Sequence, residues 1–145
     1  MGLIQCIKAL NKDIYDSTAT GQTSLTLYSY NSGNYTTLQE IDLPTGGVYI
    51  VNYGLYCTST VNFKAWFSVS ADRNLNNGEY IPRIEYNPTQ YNSDPRTAKL
   101  PASSVFIIVD SPVKLMLRGI SALSNDNISI TKYYGTYLSA IKLSD

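Results

Sequence analysis

Apolar and polar residues alternate with a period of two along much of this chain. From residue 61 to residue 71 the odd positions are apolar, whereas the even positions are polar apart from Trp66. Successive side chains of a β-strand point to opposite faces of its sheet, so this pattern predicts a half-buried strand. Shorter segments with the same alternation predict further strands at 23–29, 111–119 and 127–132.

Two other segments are apolar at both odd and even positions. They are 48–57, within the sequence LPTGGVYIVNYGLYCTS, and 105–109. A strand of this composition is covered on both of its faces. The first segment also carries Tyr49, Tyr53 and Tyr56. Its second face therefore needs a covering partner that the alternating strands do not require.

Clusters of Gly, Pro, Asn, Asp and Ser separate these segments at intervals of roughly ten residues. Such spacing, without a convincing long helix, is typical of an all-β protein built as an antiparallel β-sandwich or barrel. The longest predicted loop runs from Arg73 to Leu100 and contains a short strand at 83–86. We expect one domain at 16–145, preceded at 1–15 by an N-terminal arm or first strand.

The charges of the chain balance. Its 145 residues include 11 Lys and Arg against 11 Asp and Glu, and the charged fraction is only 15%. Without net charge or a basic run, the chain has no general electrostatic attraction to nucleic acid or to an anionic membrane. No segment approaches the ~20 apolar residues of a membrane helix, and residues 1–10 lack the basic start of a signal peptide. We expect no nucleic-acid partner, no membrane insertion and no export signal.

Candidate catalytic chemistry is sparse. The chain contains no histidine, which excludes Ser/His/Asp and Cys/His nucleophile systems. Cys6 and Cys57 alone cannot form a thiolate zinc site, and isolated cysteines are most often small buried apolar residues. Most carboxylates lie in or beside turns, where they cap backbone N–H groups. The sequence predicts a non-enzyme without a cofactor or metal; a carbohydrate-active enzyme using a carboxylate pair, tested at Glu85 and Asp94, is an alternative.

Thirteen tyrosines are an unusual feature of the composition. The simpler interpretation is that Tyr packs on half-buried strand faces with its hydroxyl in water; the alternative is a stacking surface for sugars or bases. Loops on a rigid sandwich often carry recognition, which makes the tyrosines in and near loops the better candidates for ligand binding. These are Tyr80, Tyr86, Tyr91, Tyr133 and Tyr134.

Several segments follow one another in a recognisable order. A Leu-Pro-Gly turn leads into an aromatic strand at 41–50, an alternating strand follows at 63–69, the run at 100–109 leads directly into 113–118, and the chain closes with 135–143. This order resembles the trimeric jelly roll of the tumour necrosis factor (TNF) and complement globular-head superfamily, in its short bacterial and bacteriophage forms. The resemblance covers about residues 20–144.

The resemblance implies a homotrimer, in which each copy buries one sheet of its sandwich against its neighbours. Such packing would cover the second face of 48–57, and it would also cover an outward tryptophan that is costly to expose. We therefore hypothesise that five residues lie toward the trimer contact. They are Tyr49, Tyr53, Trp66, Tyr137 and Ser139.

These features together favour a virion structural or binding module, a phage head fibre, decoration or tail-associated protein. Its expected partners are further copies of itself, capsid or tail proteins, and a host-surface glycan. We expect it in the virion, after synthesis in the host cytoplasm, with Leu3, Ile4 and Ile7 anchoring it to the particle. The alternative is a trimeric binding protein of the bacterial cell or spore surface, which neighbouring genes would distinguish.

Overall fold

The computed structural model describes residues 2, 13–61, 63–71, 79–86, 97–123 and 125–145. These residues form ten β-strands and one short 3-10 turn at Tyr30–Ser32. The strands are β1 (Ile14–Thr18), β2 (Thr23–Leu27), β3 (Thr36–Leu43), β4 (Gly47–Thr58), β5 (Ala65–Ser70), β6 (Glu79–Tyr86), β7 (Thr97–Val109), β8 (Val113–Ser121), β9 (Ile128–Lys132) and β10 (Tyr137–Ser144). No helix within these residues is long and apolar enough to span a bilayer.

The strands form two antiparallel sheets that enclose one core. The first sheet has the order β1-β10-β4-β9-β2, and β7 pairs with the other edge of β4. The second sheet has the order β3-β8-β5-β6. The expected all-β antiparallel sandwich is therefore confirmed.

The odd-numbered side chains of β4 make up much of the core. Five of them, Tyr49, Val51, Tyr53, Leu55 and Cys57, are at most 1% exposed. From the second sheet they meet the apolar face that the alternation predicted for β5, which includes buried Phe67 and Val69. Because successive strand side chains alternate, the even-numbered residues of β4 point away from this core.

Two expectations about the strand boundaries are corrected. Val61, assigned to the apolar face of the strand at 61–71, is 54% exposed because β5 begins only at Ala65. The loop expected from Arg73 to Leu100 is interrupted by β6 and by the start of β7, since backbone pairing with β5 and β4 extends both strands. The division expected at residue 15 falls inside β1 and stays a prediction.

The connection between β2 and β3 covers the outward face of the second sheet. The Tyr30 ring meets Trp66 edge-on, with ring centroids 4.8 Å apart. The Tyr35 ring lies 3.9 Å from the guanidinium carbon of Arg118, a distance typical of a cation–π contact. Arg118 is completely buried, and its Nε donates a hydrogen bond of 2.8 Å to Ser68 Oγ. Aromatic side chains thus bury a charged residue on the face that alternation assigns to polar groups.

Gly119 provides a test of the packing inside the core. A Cβ at Gly119 would lie 2.8 Å from Phe67 Cε1 and 3.2 Å from Leu27 Cδ2, and both of those side chains are fully buried. We expect Gly119→Ala to lower the free energy of unfolding by about 1–3 kcal/mol, because the core has no room for the added methyl group. Urea denaturation at fixed protein concentration measures the change.

Gly21→Ala is the matched control, since nothing lies within 4 Å of a Cβ at that position. We expect it to change the free energy of unfolding by less than about 0.5 kcal/mol. Equal losses in the two variants would contradict the close packing around Gly119.

Candidate interaction surface

The face of the first sheet that points away from the core is the candidate interaction surface, and we call it the outer face. It consists of the even-numbered residues of β4 and the residues paired with them on neighbouring strands. Strand partners directly opposite each other point to the same face. The register of the sheet therefore arranges the outer face in rows that run across β1, β10, β4 and β7.

One end of the outer face is apolar. Phe106 is paired with Ile50, and Ile108 is paired with Val48. Phe106 is 69% exposed and Ile108 is 73% exposed, whereas Ile107 and Val109, which alternate with them along β7, are buried in the sandwich. Across Ile50 the row continues through β10 to β1. We call the accessible members of these rows the apolar block: it comprises Ile14, Val48, Ile50, Phe106 and Ile108, whereas Ile141 is only 1% exposed.

A polar row follows the apolar block. Asp16, Ser139, Asn52 and Ser104 are register partners from β1 to β7. The Ser104 hydroxyl donates a hydrogen bond to Asn52 Oδ1, and Ser139 is only 4% exposed. The outer face therefore combines apolar side chains with a small number of fixed hydrogen-bonding groups, which is the usual composition of a protein contact.

The far end of the outer face is aromatic. Tyr137 lies across Gly54, where a Cβ would come within 2.5 Å of the Tyr137 ring and would have to displace it. Beyond it, the rings of Tyr56 and Tyr133 meet edge-on with centroids 5.1 Å apart. Tyr134, in the following turn, is 73% exposed.

The residues that the sequence assigned to the trimer contact do not lie together. Tyr49 and Tyr53 are corrected to core residues: both are completely buried within a single chain and have no surface to offer a neighbour. The Tyr49 hydroxyl donates to the Thr45 carbonyl at 2.8 Å, and burial raises the pKa of Tyr53. The sequence carried a signal for this, because Asn52 and Thr58 occupy even positions of β4 and mark that side as outward.

Trp66 is separated from the other residues of the predicted contact. It lies on the outward face of the second sheet, half-buried against Tyr30, whereas Tyr137 and Ser139 lie on the outer face of the first sheet.

Sequence reasoning missed Phe106 and Ile108 as residues of the contact. Their signal was the segment 105–109, which is apolar on both faces like 48–57.

The candidate ligand-binding tyrosines also fall in different environments. Tyr86 is corrected to a core residue, 3% exposed and with its ring centroid 5.0 Å from that of Phe63. Tyr133 and Tyr134 adjoin the aromatic end of the outer face. Tyr80 belongs to β6 by its backbone, and its side chain lies outside the described residues, as does all of Tyr91. The anchoring candidates Leu3, Ile4 and Ile7 also lie outside them.

Two of the groups with catalytic potential have shifted pKa values. Burial raises the pKa of the Cys57 thiol from its ordinary value of 9.0 to about 12. A hydrogen bond from Lys64, 3.0 Å from the carboxylate, lowers the pKa of Glu85. Asp94, its proposed partner in a carboxylate pair, lies outside the described residues. Those residues contain no group of three or more His, Cys, Asp or Glu side chains placed to hold a metal ion.

No family model matches the chain, and no curated protein sequence matches it. Its fold, however, is similar to solved structures. The Eiger TNF of S. frugiperda is 12% identical, with a TM-score of 0.55 over 92% of this chain and 94% of that one. Murine APRIL is 10% identical, with a TM-score of 0.52 over 91% of this chain and 99% of that one.

A viral chain of known structure also has a similar fold. In a structure of infectious bursal disease virus, Gt strain, the match is 12% identical with a TM-score of 0.52, and it covers 90% of this chain but 33% of the viral chain. At these identities the likeness concerns the fold alone. The fold is the TNF-like jelly roll, as the order of segments led us to expect.

The state of Cys57 can be tested with a thiol-reactive aromatic disulfide in a Cys6→Ser variant. Only the thiolate reacts, and a pKa of about 12 instead of 9.0 leaves roughly a thousandfold less thiolate at about pH 8. We expect the folded protein to remain unlabelled while the urea-unfolded protein reacts rapidly. Val61→Cys, at a position 54% exposed, is the reference thiol; labelling of folded Cys57 at the same rate would contradict the prediction.

Proposed function

We propose that this chain is a non-enzymatic structural and binding module of a virus particle, and that three copies associate through the outer face of the first sheet. The observation that carries the proposal is the exposure of Phe106 and Ile108 beside half-buried Val48 and Ile50. Scattered exposed apolar residues are common, but adjacent ones in one patch mark a contact with another molecule.

The polar row supports a specific contact rather than unspecific adhesion. Asn52 and Ser104 are already hydrogen-bonded to each other, so a partner meets a fixed arrangement of donors and acceptors. Asp16 is exposed at the edge of this row. Misaligned copies would leave the Asn52 amide N–H groups and the Asp16 carboxylate without partners in the contact, and this penalty favours one register of association.

The proposed place in a virion rests on the fold and on the sequence. The TNF-like jelly roll is shared with a structure of infectious bursal disease virus, and the order of segments resembles short phage and bacterial versions. Capsid or tail proteins are the proposed partners on the particle, with Leu3, Ile4 and Ile7 as the anchor. A host-surface glycan is the proposed partner on the cell.

The state of Glu85 does not suit the acid role in a carboxylate pair. A glycosidase acid must hold its proton until it meets the substrate, which requires a raised pKa. The ion pair with Lys64 has the opposite effect and keeps Glu85 ionised. A buried Cys57 with a raised pKa is likewise a poor nucleophile.

The apolar block can be tested by placing charge on it. We expect the parent chain to sediment as a trimer of 16.1 kDa copies, and Phe106→Asp combined with Ile108→Asp to give a folded monomer. The carboxylates would be buried without partners in the contact but hydrated in the monomer, and each such burial is strongly unfavourable. Sedimentation equilibrium gives the mass, and circular dichroism checks the fold.

Val61→Asp is the control, because Val61 is an exposed apolar residue outside the outer face. It should leave the trimer intact. A parent chain that sediments as a monomer would contradict the proposed association. Dissociation of the trimer by Val61→Asp would contradict the assignment of the contact to the outer face.

The particle anchor gives a separate test. We expect Leu3, Ile4 and Ile7, replaced together by Ser, to leave a soluble trimer that no longer co-sediments with particles assembled from the neighbouring structural genes. The loss of apolar contact is the physical reason. Replacing Gln5, Lys8 and Asn11 by Ser is the matched control within the same segment; equal incorporation of both variants would contradict the anchor.

A further inference from the structure

A groove lies where the edge strand β2 approaches the start of β3, away from the apolar block. Its volume is about 310 Å³. The side chains that line it come from β2 and its continuation, from the start of β3 and from β9. They are Ser24, Leu25, Thr26, Tyr28, Thr36 and Ser129.

The alternation of β2 builds the polar wall of the groove. Leu25 and Leu27 pack toward the core, so Ser24 and Thr26 point the other way. Thr26 is the register partner of Ser129 on β9, which places a second hydroxyl beside it.

The backbone around the groove is fixed by hydrogen bonds. The Thr36 hydroxyl donates to the Thr26 carbonyl and ties β3 to the edge of β2. The Tyr28 carbonyl accepts a bond of 2.9 Å from the Ser121 N–H. The next N–H, that of Ser29, donates to Asn127 Oδ1 at 2.9 Å. Tyr28 is therefore held by its backbone while its side chain stays 46% exposed, and such pre-organisation lowers the cost of binding.

The chemistry of the lining selects the kind of ligand. Within the described part of the chain, the hydroxyls of Ser24, Thr26, Tyr28 and Ser129 have no hydrogen-bond partner in the protein, so they are available to a ligand. No Lys, Arg, Asp or Glu is among the described lining residues. A phosphate or a carboxylate would find no opposite charge there to offset its loss of water.

A neutral sugar fits these constraints. Its hydroxyls can exchange hydrogen bonds with the wall of the groove, and its C–H face can lie on the electron-rich face of the Tyr28 ring. A volume of about 310 Å³ is at the lower end of the range for ligand pockets, which suits one or two sugar rings. We propose that the groove beside Tyr28 binds an uncharged pyranose unit of a glycan.

This site differs from the loop tyrosines that the sequence suggested. Tyr133 and Tyr134 follow Lys132, which pairs with Thr23, whereas Tyr28 follows Leu27, which pairs with Ile128. The two positions are therefore at opposite ends of the β2–β9 ladder. The inference rests on the proposed role as a binding module, for which it names the ligand class, but it does not require the trimer contact.

Titration of the isotope-labelled full chain, followed by amide chemical shifts, tests the proposal. The probes are the methyl glycosides of glucose and galactose, N-acetylglucosamine and rhamnose, with N-acetylneuraminic acid and inorganic phosphate as charged comparators. We expect at least one neutral sugar to shift the amides of Thr26, Ser29 and Thr36 in a saturable way, with a dissociation constant in the millimolar range. The charged comparators should leave these amides unchanged.

Two substitutions of Tyr28 and one control test whether the sugar binds in the groove. Tyr28→Ala should weaken binding by about tenfold or more, whereas Tyr28→Phe, which keeps the ring, should retain binding within about threefold. Tyr134→Ala, at a position 73% exposed, should leave the affinity unchanged. The proposal is overturned by an absence of saturable shifts with all four neutral sugars, by preference for a charged comparator, or by loss of binding in Tyr134→Ala but not in Tyr28→Ala.

The doubly substituted Phe106→Asp, Ile108→Asp chain separates this proposal from the trimer. Neutral-sugar shifts in that monomer support the groove without the contact. A trimeric parent chain without such shifts overturns the groove and leaves the association through the outer face intact.

Discussion

The pairing of β4 along both of its edges is the constraint on which the rest of the structure depends. β10 and then β9 pair with one edge, and β7 pairs with the other. Once this register is set, every odd side chain of β4 points into the sandwich and every even one points outward. A slip by one residue would bring Asn52 and Thr58 toward the core in exchange for buried tyrosines, so burial strongly specifies the register.

The same register organises the outer face into apolar and polar rows across four strands, with aromatic side chains at its far end. Each row is made of residues far apart in the chain that become neighbours only through strand pairing, as Ile14, Ile141, Ile50 and Phe106 do. This explains why an apolar surface can lie directly behind an apolar core in one sheet. In the proposed trimer, the TNF-like sandwich would present this face to further copies and keep its edges and turns for other partners.

The connection between β2 and β3 links the two halves of the molecule. Tyr28 at its start borders the groove, Tyr30 packs on Trp66, and Tyr35 lies over the buried guanidinium of Arg118. Arg118 also binds Ser68, so burial of its charge is compensated by specific contacts. A segment that sequence patterns mark only as a turn thus covers part of the second sheet and lines the polar groove beside it.

The sequence by itself determined most of the strands, the antiparallel sandwich and the order of segments typical of the TNF-like jelly roll, because alternation and turn residues are local signals. It also marked 48–57 and 105–109 as strands with two apolar faces. Only the tertiary structure decided which face became the core, and it placed Tyr49, Tyr53 and Tyr86 inside and Phe106 and Ile108 outside. The physical reason is that the side of a strand that is buried depends on its pairing register and on the opposing sheet, and both are made by residues distant in the chain.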